Sequence, residues 1–209
     1  RGNPARAKLW GPIYQDHAPL REQREVVGHA VRAMYLCCGA TDLFAHTGEQ
    51  KLLDPMDRLW ESMTQRRMYI TGGVGSRREG ETFGDDYELP NDTAYCETCA
   101  AIGVAFWAQR MNLLKADAQY ADVMERAIYN GVLSGVSLDG KRFFYVNPLQ
   151  SDGKHHRQEF YKCACCPTNL VRFMPALPGY LYALGQRDGK DEVYVNLYAA
   201  GTGKFNLGD

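Results

Sequence analysis

The chain has 209 residues, with 24 Lys and Arg against 25 Asp and Glu and a formal net charge of −1. That balance leaves no electrostatic footprint for nucleic acid or an anionic membrane surface, and no apolar run is long enough to span a bilayer. Hydrophobic residues make up 45% of the chain, enough to bury a core, and five of the seven cysteines fall in two tight clusters rather than a spaced disulfide framework.

The chain opens at Arg1 without a methionine, in a loop-like stretch through Pro4, Trp10, Gly11 and Pro12, and closes at Gly208-Asp209 just after an expected strand. A fragment of a longer protein is therefore expected, with any signal peptide lying upstream. Clustered cysteines favour a reducing compartment, so the cytoplasm is the expected location. Residues 22–45 read as a helix, through Val27, Ala30, Val31, Met34, Tyr35 and Cys38 at three- and four-residue spacing. A second helix fits 48–68, with Pro55 tolerable near its first turn.

The helical period then stops. Tyr69-Ile70-Thr71-Gly72-Gly73-Val74-Gly75-Ser76 is glycine-rich, but it lacks the Lys-Ser/Thr ending of a phosphate loop, and Arg78 stands where a dinucleotide fingerprint needs glycine. A long irregular loop of this kind, continuing to Pro90, is more often functional than idle. Helical pattern returns at 94–114 and 117–133. A period of two follows from Val136 to Val146, with Asp139-Gly140 as a hairpin turn. After Pro167 a helix runs through Leu170, Phe173, Leu177, Leu181 and Leu184, kinked or divided by Pro175 and Pro178. Glu192 to Ala199 alternates as a strand. The expected architecture is mainly α: helices in sequential pairs, a portion of an α/α toroid or solenoid, with a β-rich region beginning near residue 187.

The chemistry concentrates in Cys163-Ala164-Cys165-Cys166-Pro167 and in Cys96-Glu97-Thr98-Cys99. Adjacent cysteines make a strained disulfide but suit a soft metal. Counting along the chain, Cys96-x2-Cys99 with Cys163-x2-Cys166 has the spacing of a tetrahedral four-cysteine zinc site. A competing set takes Glu97, Cys99, Cys165 and Cys166. Spacing and ligand chemistry favour the four-cysteine set, because closed thiolate sites are commoner, and leave the other set open. Glu81 read alone is a solvated loop carboxylate, Glu125 a residue on the solvent face of its helix, Tyr145 a strand residue over the core, and His29 a structural histidine beside an apolar stripe.

Seven segments in order carry a resemblance: Gly28-His29-Ala30-Val31-Arg32, Tyr69 to Ser76, Gly80-Glu81-Thr82-Phe83, Glu97-Thr98-Cys99-Ala100, Glu125 to Gly131, Phe144 to Leu149 and Cys165-Cys166-Pro167. Together, from about Trp10 to Asn196, they resemble the zinc-dependent β-L-arabinofuranosidases of glycoside hydrolase family 127. The resemblance implies roughly the second half of an (α/α)6 barrel over 1–186 and the start of a β-sandwich-like domain over 187–209. It implies Zn2+ held by Glu97, Cys99, Cys165 and Cys166, with Cys165 as nucleophile and Glu81 as acid/base in a retaining mechanism. His29, Glu125 and Tyr145 match positions lining the sugar pocket. The implied partner is an arabinofuranoside, with no nucleic acid or membrane, and assembly as a homodimer is left open. Thr168 departs from the pattern, standing where a second proline is common, as do Pro175 and Pro178 within the following helix.

Overall fold

A computed structural model describes residues 11–207, so the opening stretch before Gly11 and the closing Gly208-Asp209 lie outside the described residues. Among the described residues, five α-helices form the body: α1 (Ala30–Thr47), α2 (Gln50–Ser62), α3 (Thr98–Lys115), α4 (Ala118–Arg126) and α5 (Cys165–Ala176). One antiparallel hairpin, β1 (Tyr182–Arg187) with β2 (Lys190–Val195), follows them.

Helix α3 is central because its sequence is apolar on nearly every side. Twelve of its residues, from Thr98 to Asn112, are buried, and a helix without a polar face belongs inside a core. Its small residues let neighbours approach closely, and Gly103 lies against Met34 of α1. Trp107 ties three helices together. Its Nε1 donates to Thr41 Oγ1 of α1 at 3.1 Å, and its ring meets Trp60 of α2 edge-on at 5.1 Å. Trp60 in turn packs on Tyr120 of α4 at 4.8 Å. Phe106 carries the contact onward to Phe173 of α5 at 5.5 Å.

Several boundaries differ from the periodicity, each for a local reason. The first helix begins at Ala30, not 22. Gly28 has φ +71, and a Cβ there would stand 1.8 Å from the Pro12 carbonyl oxygen, so the chain turns sharply before the helix starts. Pro55 sits inside α2, one turn later than expected, and is buried there. Both α2 and α4 end in a π-turn, over Met63–Arg67 and Ala127–Val132. Gly72, at φ +79, explains the glycine-rich stretch: a Cβ would meet the backbone of Ala127 in the second π-turn at 2.7 Å.

The hairpin expected over 136–146 shrinks to a single bridge, Val136 with Phe143, around a turn in which the Gly140 N–H donates to the Ser137 carbonyl at 2.8 Å. The following residues are claimed by another segment. Thr98 N donates to Tyr145 O at 3.0 Å and Asn147 N to Tyr95 O at 3.1 Å. Helix α5 starts at Cys165, so Pro167 falls in its first turn, where no intrahelical N–H bond is lost. Pro175 and Pro178 then end it: a 3-10 turn spans Leu177–Tyr180, and Leu184 belongs to β1 rather than to a helix. The strand expected at Glu192 begins two residues earlier, and the division expected at 186/187 falls within the β1–β2 ladder.

Between α2 and α3 the loop is pinned by charge. Arg77 Nε donates to Glu88 Oε1 at 2.7 Å, a second contact joins the guanidinium to Oε2, and Asp85 lies 3.0 Å from Arg77 Nη2. Those hydrogen bonds hold the Glu88 carboxyl down at about 2.

Two measurements follow from this packing. Gly103→Ala brings the new Cβ to 2.7 Å from Met34 Cβ. The helix-propensity gain of up to about 1 kcal/mol is outweighed by an overpacking cost of about 1–3 kcal/mol, so urea unfolding should register a net loss. The depressed Glu88 carboxyl stabilises the folded chain above its ordinary range near 4.5, and that contribution disappears as pH falls towards 2. The Arg77 and Glu88 side chains are 40% and 35% exposed. Solvent screening therefore keeps the contribution below about 1 kcal/mol. Unfolding midpoints of the protein and of Glu88→Gln should differ at pH 6 and converge by about pH 2.

Candidate functional site

Two helix N-termini converge on one cluster of acidic groups. Glu97 is the N-cap residue of α3 and Cys99 the second residue of that helix. Cys165 and Cys166 open α5. The ligand-capable atoms of Glu97, Cys99, Cys165 and Cys166 all lie within 4.8 Å of one another. Within the cluster, Cys99 Sγ is 3.6 Å from Cys166 Sγ, Cys165 Sγ is 3.7 Å from Cys166 Sγ, and Glu97 Oε1 is 3.4 Å from Cys165 Sγ. Cys166, Cys99 and Glu97 are buried, whereas Cys165 is partly exposed. A cavity of about 470 Å³ reaches Cys99 and Cys165 past Val31, Tyr35, Thr168, Asn169 and Arg172.

Beside the cluster stands a second set. His29 caps α1, and its Nε2 lies 2.9 Å from Glu81 Oε2. Two tyrosine hydroxyls donate to the other oxygen: Tyr95 at 2.8 Å and Tyr145 at 3.1 Å. Glu97 joins the two sets, since its carboxylate also lies within 4.8 Å of the ligand-capable atoms of His29 and Glu81. Glu81 is brought there by a tight turn, closed by paired Arg77 and Thr82 backbone bonds of 3.1 Å, in which Glu81 itself has φ +55. A non-glycine residue in that conformation is strained by about 1–2 kcal/mol, a cost found most often where function fixes a side chain. Cys96, immediately before Glu97, is also left-handed, at φ +40.

The electrostatics are those of too many acids in one place. Burial first, then the negative charge of Glu81 and of Cys165, pushes the Glu97 carboxyl up to about 9. Hydrogen bonds from Cys166 and then Cys99 push the Cys165 thiol down, while the same Cys165 partnership pushes Cys166 up. Burial keeps His29 below its ordinary 6.5, against the opposing pull of Glu81. His29 Nε2 thus stays within hydrogen-bonding reach of the Glu81 carboxyl. Glu97 Oε2 is buried without a hydrogen-bond partner. An unpaired carboxylate oxygen costs several kcal/mol unless a cation or donor meets it. Three sulfurs and one carboxylate within mutual reach fit a soft divalent cation, zinc foremost.

The structure thus brings Glu97, Cys99, Cys165 and Cys166 together and sets Glu81, His29 and Tyr145 beside them. The four-cysteine alternative is not assembled. Cys96 is turned into a small separate cluster with Tyr69 and Ala94, and Cys163 is exposed. Glu125 lies half-buried on α4, with no described hydrogen bond or ion pair joining it to the cluster. Tyr95 is a site residue that the sequence reading passes over, since a tyrosine in an apolar context carries no signal beyond packing.

Comparison with known proteins bears on this arrangement. The sequence model described as β-L-arabinofuranosidase, GH127 catalytic domain, matches residues 11–179. A non-reducing end β-L-arabinofuranosidase of Bifidobacterium longum subsp. longum is 41% identical over 212 aligned positions, covering 96% of this chain and 32% of the relative. A solved GH127 β-arabinofuranosidase superposes with a TM-score of 0.85 at 52% identity, covering 90% of this chain and 29% of its own. A GH127 β-L-arabinofuranosidase from Geobacillus stearothermophilus T6 gives 0.80 at 44%, over 88% of this chain and 33% of its own. The chain spans about a third of the length of these relatives. With the family match running from the first 3-10 turn to the end of α5, the chain belongs to glycoside hydrolase family 127.

Proposed function

We propose that this chain carries the reacting groups of a retaining glycoside hydrolase acting on β-L-arabinofuranosides, with zinc as cofactor. The observation that carries the reading is the meeting of a partly exposed Cys165 with Glu81 around the buried Glu97, whose Oε1 is 3.4 Å from the Cys165 sulfur and whose carboxylate lies within 4.8 Å of Glu81 and His29. The substrate class comes from the names of the relatives. Since the chain spans about a third of their length, turnover is proposed for a protein in which this segment is joined by the counterparts of the rest. The same reading takes the helices as part of an (α/α)6 barrel and residues 187–209 as the start of a β-sandwich-like domain.

Glu97, Cys99, Cys165 and Cys166 would hold the ion. Bound zinc would supply charge that keeps the sulfurs deprotonated near neutral pH. Cys165 attacks the anomeric carbon, forming a carbon–sulfur bond as the carbon–oxygen bond to the leaving group breaks. Glu81, steadied by His29, Tyr95 and Tyr145, gives its proton to the departing oxygen. Water then loses a proton to Glu81 and displaces the sulfur, which leaves as a thiolate. Two displacements at one carbon retain its configuration. His29 and Tyr145 flank the place where the sugar would sit, while Glu125 as a sugar-binding residue rests on the family resemblance alone.

Cys165→Ser should lower hydrolysis of an aryl β-L-arabinofuranoside by at least about a thousandfold, because a hydroxyl is a far weaker nucleophile at this site. Activity within tenfold of the unaltered protein would remove Cys165 from the role. Elemental analysis should find one zinc per chain, kept in Cys96→Ser/Cys163→Ser and lost in Glu97→Gln/Cys99→Ser. The opposite pattern of retention would restore the four-cysteine site.

A further inference from the structure

The two oxygens of Glu81 have unequal surroundings. Oε1 accepts from the Tyr95 hydroxyl at 2.8 Å and from the Tyr145 hydroxyl at 3.1 Å, while Oε2 has His29 Nε2 at 2.9 Å. An ionised carboxylate offers about four lone-pair sites, shared equally between its oxygens. Both sites on Oε1 are filled, and His29 stands at one of those on Oε2. The site left over belongs to Oε2, and 29% of the Glu81 side chain is exposed.

Tyr95 is fixed from several directions. It is buried, and among the described residues its hydroxyl meets no acceptor but Glu81. Its backbone is tied at both ends, with Tyr95 N donating to Ser76 O at 3.2 Å and Tyr95 O accepting from Asn147 N at 3.1 Å. Its ring stands edge-on to Tyr145 at 6.2 Å, with the Arg78 guanidinium 5.7 Å from the ring centre. Two aromatic rings thus converge on a single carboxylate oxygen.

We infer that Tyr95 is a positioning residue that selects which oxygen of Glu81 moves the proton: together with Tyr145 it closes Oε1, so that Oε2 alone gives and takes it. The inference rests on the acid/base reading of Glu81 above and deepens it. As the anomeric carbon–oxygen bond breaks, its electron pair stays on the departing oxygen, which takes the proton from Oε2. In the second displacement water returns a proton to Oε2, its oxygen bonds to the carbon, and the sulfur leaves with the electron pair. The departing oxygen therefore lies beside Oε2, on the side of the carboxyl where His29 stands. Tyr95 touches none of the reacting atoms and acts only through Glu81.

The test uses the full-length protein that carries this segment, and compares kcat/KM for a methyl and a dinitrophenyl β-L-arabinofuranoside. A methoxy group needs the proton in order to leave, whereas dinitrophenolate leaves without it. Glu81→Gln calibrates the pair: it should cost the methyl substrate at least about a hundredfold and the dinitrophenyl substrate far less. Tyr95→Phe keeps the ring and opens Oε1. It should lower kcat/KM roughly tenfold for the methyl substrate, the cost of losing one hydrogen bond to a charged group, and by less than about threefold for the dinitrophenyl one. Equal losses on both substrates mean a merely structural role and overturn the inference, as does no loss on the methyl substrate. If Tyr95→Phe does not fold, Tyr145→Phe opens the same oxygen, and an unchanged ratio between the two substrates overturns the inference instead. A Glu81→Gln protein that loses both substrates alike would sink the acid/base reading itself, a different outcome from a normal split there with none in Tyr95→Phe.

Discussion

Four acidic groups drawn into a space under 5 Å across are the constraint to which the surrounding structure answers. Left to themselves, three thiols and a carboxyl at that separation cannot all ionise, as the upward push on Glu97 and Cys166 shows. The fold supplies part of the remedy by bringing two helix N-termini to the same point. Each presents unpaired N–H groups and roughly half a positive charge, which favours anions there. A divalent cation would supply the rest. Glu97, Cys99, Cys165 and Cys166 all occupy cap or first-turn positions, so helix geometry, rather than loop conformation, sets their spacing.

Holding two helix ends together asks for a rigid frame, and α3 provides it. Its small and apolar residues let α1 close against it, while Trp107 and Phe106 join it to the other helices. The irregular segment 144–147 is fastened to the start of α3 as well. Asn147 Nδ2 donates to Cys96 O at 2.8 Å and to Thr98 Oγ1 at 3.0 Å, and Thr98 Oγ1 donates to Phe144 O at 2.7 Å. The Tyr145 hydroxyl, which donates to Glu81, is thereby placed from the same backbone that places Glu97. The cysteine-glutamate cluster and the Glu81 set form one mechanical unit.

Much of this was legible before the structure. The helices over 50–62 and 98–115 follow the apolar periodicity, and Glu97-x-Cys99 with Cys165-Cys166 stands out as soft-metal chemistry. Counting along the chain misled on Cys96, because a Cys-x2-Cys spacing cannot reveal that a left-handed residue turns the first thiol away from the second. Strand β1 was hidden by leucines that continue a helical period past Pro175 and Pro178, where the backbone can no longer follow it. The 136–146 hairpin failed for a tertiary reason: its second half bonds to 95–98 instead. Tyr95 left no trace in the sequence pattern, since it matters through one hydrogen bond, to Glu81.

The left-handed backbone at Glu81 bears on how such a protein can change over generations. Glycine would suit that φ better by about 1–2 kcal/mol, so selection for robustness alone would favour replacing Glu81. If Glu81 is the proposed acid/base, the carboxylate persists there only while activity is selected. A descendant that lost its substrate would be free to relax this turn early, becoming sturdier as it became inert, and a glycine opposite an intact cysteine cluster would be the mark of that history.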